Sequence, residues 1–232
     1  MTDLSAFPIT YRWPATNPDA IQLYAFPTPN GVKISIALEE LGLAYEAHKV
    51  TLAREDVKSP EFLSLNPNGK IPAIIDPDGP QGKPIGLFES AAILIYLAEK
   101  TGKLIGETAV DRLEILQWLM VQIGGIGPMF GQLEFFYRGA GKNVADRRPK
   151  DHYLAEVRRL LSVLEVRLDG RDWLCGDYSI ADIATAPWLR ALDIFGARQA
   201  VAWDDCPNAA AYLERFLARP AVQTGLVTPP RD

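Results

Sequence analysis

A chain of 232 residues, 48% of them apolar, has enough material for one large core or two ordinary ones. Its formal net charge of −5, with a pI near 5.2, argues against nucleic acid or an anionic membrane as the main partner, because both select basic surfaces. The longest unbroken apolar run, AAILIYLA from Ala91 to Ala98, is far shorter than the roughly 20 residues a membrane-spanning helix needs. The first residues carry Asp3, no basic start and no long apolar stretch, which is not the make-up of a secretory signal, so the expected compartment is the cytoplasm. Cys175 and Cys206 lie far apart and form neither a CxxC pair nor a zinc spacing. With His48 and His152 as the only imidazoles and the acids scattered as helix-surface charge would be, no metal site is expected.

Residues 1–20 hold Pro8, Pro14 and Pro18 and show no period, so they predict an extended arm. Regular structure then begins. Ile21 to Phe26 reads as a strand, and Asn30 to Leu41 as a helix with Val32, Ile36, Leu38 and Leu41 on one side, closed by Gly42. Tyr45 to Val50 alternates as a second strand. Pro72 to Asp76 and Pro84 to Phe88 predict two more strands around a Gly/Pro/Asp-rich turn, and Ser90 opens a helix closed by Gly102. A βαβ unit followed by a hairpin and a helix predicts an α/β domain with a mixed sheet of about four strands over residues 21–102.

From Thr108 onward no strand pattern appears, so residues 108–232 predict an all-helical domain. Asp111 to Gln122 is amphipathic and is broken or kinked at Gly124, Gly125 and Pro128. Leu154, Val157, Leu160, Leu161, Leu164 and Leu168 repeat at the spacing of a buried helical face. Ser179 and Asp182 are spaced as a capping box ahead of a further helix, which reads as a folding signal.

Three places in the first half hold groups that can bind. The junction FPTPNG, Phe26 to Gly31, ends a strand and opens a helix, and it offers the Thr28 hydroxyl, the Asn30 amide and free helix amides. The plain alternative is that Asn30 caps the helix and Thr28 is a turn residue. In NPNGKIPAI, Pro72 begins a strand, where a residue without an N–H suits either an ordinary edge or a cis bond; the cis form turns the Ile71 backbone outward as a partner for an extended peptide. At LFESAAIL, Ser90 and the amides of a helix N-terminus form a carboxylate site with Glu89 beside it to accept an ammonium group, against the alternative of a simple Ser cap. His48 reads as a structural or surface residue.

Together, Pro72 in NGKIPAI, the FES of Phe88 to Ser90, the all-helical second half and the Ser179/Asp182 box resemble the cytosolic glutathione transferases. TPNGVKI, EFLSLNPNGKIPAI, LFESAAILIYLAEKTG, LQWLMVQIGGIGPMFGQ and YSIADIA are similar to the Nu-class branch, the bacterial relatives of a fungal prion-forming nitrogen regulator. The resemblance covers about Ile21 to Pro220 and implies a thioredoxin-like first domain, the glutathione transferase fold, and glutathione, reduced or as its disulfide, as the ligand. It implies catalytic roles near sulfur for Thr28 and Asn30. It also implies that Ile71, with Pro72, pairs the cysteinyl backbone, that Glu89 and Ser90 hold the γ-glutamyl end, and that Lys70 faces the glycyl carboxylate.

A free thiol with a pKa near 8.5 is mostly protonated at neutral pH, and amides plus a hydroxyl stabilise its thiolate. The resemblance further implies a homodimeric enzyme acting chiefly as a disulfide-bond reductase on small disulfides, without using a protein cysteine. The alternatives are conjugation of glutathione to small electrophiles or peroxide reduction, and, in a different class, a non-catalytic glutathione-binding module. The long Asn/Gln-rich extension of the fungal regulator has no counterpart here, which favours the enzyme. His152, Tyr153, Phe130 and Phe136 are expected at a second-ligand or acceptor pocket, with core packing as the alternative for the aromatics. Two positions depart from the pattern. Val57 stands where relatives often carry Gln, and His152 stands where they often carry Arg.

Overall fold

The computed structural model describes residues 2–231; Met1 and Asp232, the outer ends of the expected domain bounds, lie outside the described residues. The chain divides into two compact units, one formed by residues up to Gly102 together with those from Pro220, the other by Lys103–Arg219.

The first unit is built on four strands, β1 (Ile21–Ala25), β2 (Tyr45–Lys49), β3 (Ala73–Asp76) and β4 (Ile85–Phe88), in the order β2-β1-β3-β4. β1 pairs parallel with β2 and antiparallel with β3, and β3 pairs antiparallel with β4, giving the mixed sheet that the sequence predicts. The short helix α1 (Ile9–Arg12) precedes these strands, α2 (Gly31–Leu41), α3 (Arg54–Val57) and α4 (Pro60–Leu65) lie between them, and α5 (Ser90–Thr101) follows β4. All of β1 is buried, as a strand covered on both faces must be. Tyr24, Ala73 and Ile75 share one apolar cluster with Leu4, Ile9, Phe62 and Leu65, while α2 touches β1 and α5 touches β3.

Residues 2–20 are not an extended arm. Leu4 and Ile9 are buried in that cluster, and Phe7, Trp13 and Ala15 pack against it, so apolar burial folds the segment down around α1. Glu46 fastens it by accepting from the backbone N–H groups of Thr16 at 2.9 Å and Asn17 at 2.8 Å.

The C-terminal stretch also differs from the expected division at 108–232. From Pro220 the chain forms a last short helix, Pro220–Gly225, packed on α2 within the first unit. Ser35 Oγ donates to the Gly225 carbonyl at 2.6 Å, and a Cβ on Gly225 would stand 2.6 Å from the Ile36 backbone, so the approach admits only glycine.

The second unit is helical throughout. Counting on from α5, its long helices are α6 (Ala109–Val121), α7 (Gly127–Tyr137), α8 (Arg148–Arg167), α9 (Ile180–Phe195) and α10 (Pro207–Leu217). The GG stretch does not break α6 from α7; a π-turn over Gln122–Ile126 carries one into the other, and Pro128 follows it directly at the start of α7. α8 begins at Arg148, ahead of Leu154, the first residue of the apolar repeat seen in the sequence.

The capping box at the head of α9 is formed. The buried Asp182 carboxylate accepts from Ser179 N–H at 2.9 Å, and also from Leu174 N–H at 3.0 Å. Burial pushes its pKa up to about 6 against those hydrogen bonds.

Candidate active site

A cavity of about 320 Å³ opens in the first unit, lined by Asn30, Asn66, Asn68, Lys70, Ile71, Pro72, Glu89 and Ser90. Six of the predicted site residues meet there, drawn from the head of α2, the loop before β3 and the junction of β4 with α5. Each is placed by a local feature of the chain.

At the first junction, the chain turns so tightly that a Cβ on Gly31 would stand 1.9 Å from the Phe26 carbonyl oxygen, which requires glycine as the first residue of α2. Asn30 occupies the capping position but its side chain makes no capping bond to the helix. Thr28 does that work. Its hydroxyl oxygen accepts from the Gly31 N–H at 3.1 Å, and its carbonyl accepts from Val32 N–H at 3.0 Å. Accepting that bond leaves the hydroxyl proton of Thr28 free to be donated to another acceptor. Thr28 itself is half-buried and is not among the residues lining the cavity.

The loop Asn66–Ile71 forms one wall. Asn66, buried, donates through Nδ2 to the Lys70 carbonyl at 2.6 Å and accepts from Asn68 N–H at 3.0 Å. Lys58 Nζ donates to the Asn68 carbonyl at 2.9 Å, and Gly69 takes a φ of +61° there. The Ile71–Pro72 bond is cis. Lys70 is exposed at the edge, and Ile71 is buried. Asn66 and Asn68 are contributors that sequence reasoning passed over, since Asn, Pro and Gly in succession read only as a turn.

The other wall is the start of α5. Glu89 is exposed and holds a φ of +69°, a conformation that disfavours any side chain with a Cβ, while Ser90 behind it is buried. The carbonyl of Glu89 accepts the first helical bond, from Ile93 N–H at 3.0 Å, which leaves the earlier amides of α5 at the cavity. An anion is favoured at that end and a cation at the Glu89 carboxylate. Beneath them lies Lys33, fully buried in α2, its Nζ 3.5 Å from Ser90 Oγ. Burial lowers its pKa to about 7, opposed by the attraction of Glu89.

The expected second-ligand residues belong to the second unit. Phe136 stacks on Tyr153 with ring centroids 5.6 Å apart, and His152, exposed, meets the edge of Tyr153 at 5.2 Å. Phe130 is no pocket wall: its side chain is fully buried in the core of α7, because it falls on the same helical stripe as Leu133.

Val57 packs against the apolar cluster of the first unit. His48 is buried, bonded to Gln22 at 2.8 Å and stacked on Tyr24, a structural role. Cys175 is half-buried, not fully buried as a small apolar core residue would be, and burial with the nearby Asp182 charge pushes its thiol up to about 12. Burial also raises the Cys206 pKa, followed by the charges of Glu165 and Asp205. Both thiols are held in the protonated, poorly nucleophilic form.

Residues 28–100 match the family model for the glutathione S-transferase N-terminal domain, and residues 128–220 match its C-terminal domain. Among characterised relatives, the Escherichia coli disulfide-bond oxidoreductase YfcG is 44% identical over 89% of this chain and 94% of its own, and YghU from the same organism, another disulfide-bond oxidoreductase, is 34% identical over 89% and 74%. A glutathione transferase from Burkholderia graminis, solved with two glutathione molecules bound per subunit, superposes with a TM-score of 0.98 at 62% identity, covering 100% of this chain and 98% of that one. One from Pseudomonas putida, solved with one glutathione disulfide bound per subunit, gives 0.97 at 57% identity, covering 98% and 100%.

Proposed function

The chain belongs to the glutathione S-transferase family, and we propose that it is a glutathione-dependent disulfide-bond reductase of the Nu-class branch in which the reacting sulfurs belong to the ligand. One observation carries this reading. The strand-to-helix junction where a thiol would stand offers the Thr28 hydroxyl and the head of α2, while both cysteines lie elsewhere with raised pKa values.

In this reading glutathione lies extended along the cavity. Its γ-glutamyl carboxylate meets the Ser90 hydroxyl and the α5 amides, its ammonium meets Glu89, its cysteinyl backbone runs along Ile71 beside Pro72, and Lys70 faces the glycyl carboxylate. Its sulfur lies towards Thr28 and Asn30, where a donated hydrogen bond and the positive end of α2 favour the thiolate. That thiolate attacks one sulfur of a small disulfide, and the other sulfur leaves as a thiolate that takes a proton. A second glutathione resolves the mixed disulfide, so two glutathiones become one glutathione disulfide as one disulfide becomes two thiols.

His152, Tyr153 and Phe136 are the acceptor-side residues of this proposal. We read the protein as a homodimer, on the ground that α6 carries exposed Val110, Leu113 and Met120, and keep the cytoplasm as its proposed compartment. No helix among the described residues is long and apolar enough to cross a membrane.

The test is steady-state reduction of a small disulfide by glutathione, measured on the wild type and on a variant with Cys175→Ser and Cys206→Ser together. Equal, substantial rates are expected. Loss of activity in the folded variant assigns the chemistry to a protein thiol and overturns the reading.

A further inference from the structure

A lysine inside a helix is ordinarily a surface residue whose charge stays in water. Lys33 is not. It lies on α2 with no exposed surface, and its amine is directed at the underside of the cavity, 3.5 Å from the Ser90 hydroxyl oxygen. Ser90 in turn lines the cavity with Glu89. The chain therefore keeps one ionisable nitrogen directly behind the two side chains that face a ligand's charged end.

Among the described residues, the elements packed against Lys33 carry the following ionisable groups. The short helix Pro220–Gly225 packed on α2 carries no ionisable side chain, and β1 carries only the Tyr24 phenol, whose pKa burial raises. On α2 itself the acids Glu39 and Glu40 stand in the last turn, and on α5 Glu99 and Lys100 are at the far end. Glu89 is the group whose charge acts on the amine, and burial opposes it. Resting on the glutathione reading above, Glu89 is itself engaged when the ligand's ammonium arrives, and a new carboxylate appears on the other side of Ser90.

We propose that Lys33 is a positioning residue that couples ligand binding to proton uptake: the carboxylate docking on Ser90 draws the buried amine into its ammonium form. The proton comes from solvent. As an ammonium, Lys33 can only donate, so Ser90 Oγ accepts from it and turns its own O–H towards the ligand carboxylate. As a neutral amine, Lys33 can accept that O–H and take it away from the ligand. In the empty site the amine titrates near neutral pH, so binding below about pH 7 finds the proton already present, while binding above it must recruit one.

The experiment uses S-methylglutathione, which has no thiol to titrate, as the probe. Its binding to the full-length protein is measured by calorimetry at about pH 7.5 in two buffers of different ionisation enthalpy, and across the range from about pH 6 to 8.5. The wild type is expected to take up a fraction of a proton per ligand, with affinity falling about fivefold more steeply between about pH 7 and 8 than in Lys33→Met. Lys33→Met is expected to bind without that uptake; Lys33→Gln replaces it if the methionine variant does not fold. A purely structural lysine would change affinity equally at every pH.

Binding by the wild type with no proton uptake, or uptake that persists in the folded variant, overturns this role for Lys33 and leaves the glutathione reading standing. Absence of any S-methylglutathione binding by the wild type overturns both.

Discussion

The hydroxyl oxygen of Thr28 accepts the Gly31 backbone N–H at 3.1 Å, so the first orphan donor of α2 is satisfied by the same hydroxyl that keeps a proton to donate. This couples a folding role to a chemical one. Thr28→Ala removes both, and Thr28→Ser keeps both. The expected loss in kcat/KM for disulfide reduction by Thr28→Ala is roughly 5- to 150-fold, corresponding to about 1–3 kcal/mol for one donor to a thiolate, with a smaller change in glutathione affinity. The capping share appears separately as a loss of about 1 kcal/mol in urea unfolding. Thr28→Ser should restore turnover, and full activity in Thr28→Ala would remove Thr28 from the sulfur site.

Glu89 holds a φ of +69° at the mouth of the cavity. Backbone strain of this kind is kept where the side chain is needed. Glu89→Gly should therefore separate stability from binding. Stability is expected to hold or rise by about 1 kcal/mol, because glycine adopts this conformation freely, although it gains chain entropy when unfolded. Glutathione affinity should fall at least roughly tenfold with loss of the charged partner for the ligand ammonium. Urea unfolding and calorimetric titration read the two effects; a variant that binds as well as the wild type would show that Glu89 does not meet the ligand.

The return of the chain to α2 depends on the pair Ser35 and Gly225. Ser35→Ala leaves the buried Gly225 carbonyl without that donor, and Gly225→Ala forces a methyl group to within 2.6 Å of the Ile36 backbone. Each is expected to lower stability in urea unfolding by about 1–3 kcal/mol. Changes within a few tenths of a kcal/mol in both would mean that this contact does not hold the C-terminal segment.

The four strands, α2 and α5 were legible because periods of 2 and 3.6 were cut by Gly42, Gly102 and the DPDG turn, whereas the one- to two-turn helices α1, α3 and α4 were not. Glu89, Ser90, Asn30, Ile71 and Pro72 were legible because turn and capping chemistry marks the ends of those elements. What escaped the sequence was long-range. Leu4, Phe7 and Ile9 have too short a pattern to reveal that they cover the sheet, and nothing in PAVQTG indicates a return to α2. Phe130 misled because an aromatic at helical spacing reads equally as wall or core. Asn66 is disguised as a turn residue, and Lys33 as surface charge, because burial against a neighbouring helix is written in tertiary packing and not in the local pattern.

Lys33 also gives the empty protein a pH signature. Its folded pKa of about 7 is below the ordinary value of 10.5, so between those limits the unfolded chain holds a proton that the folded one does not. Stability therefore rises with pH across that window, by at most about 1.4 kcal/mol per pH unit from this group, and is lowest where the buried amine is forced to remain charged. Lys33→Met abolishes that contribution. At about pH 7 the variant is expected to be at least as stable as the wild type, since an apolar side chain of similar length replaces a buried amine, and its advantage should shrink as the pH rises. Urea unfolding of both proteins between about pH 7 and 9.5 measures the difference directly. Parallel stability curves would mean that Lys33 titrates alike in the folded and unfolded states, and that its burial places no penalty on its charge.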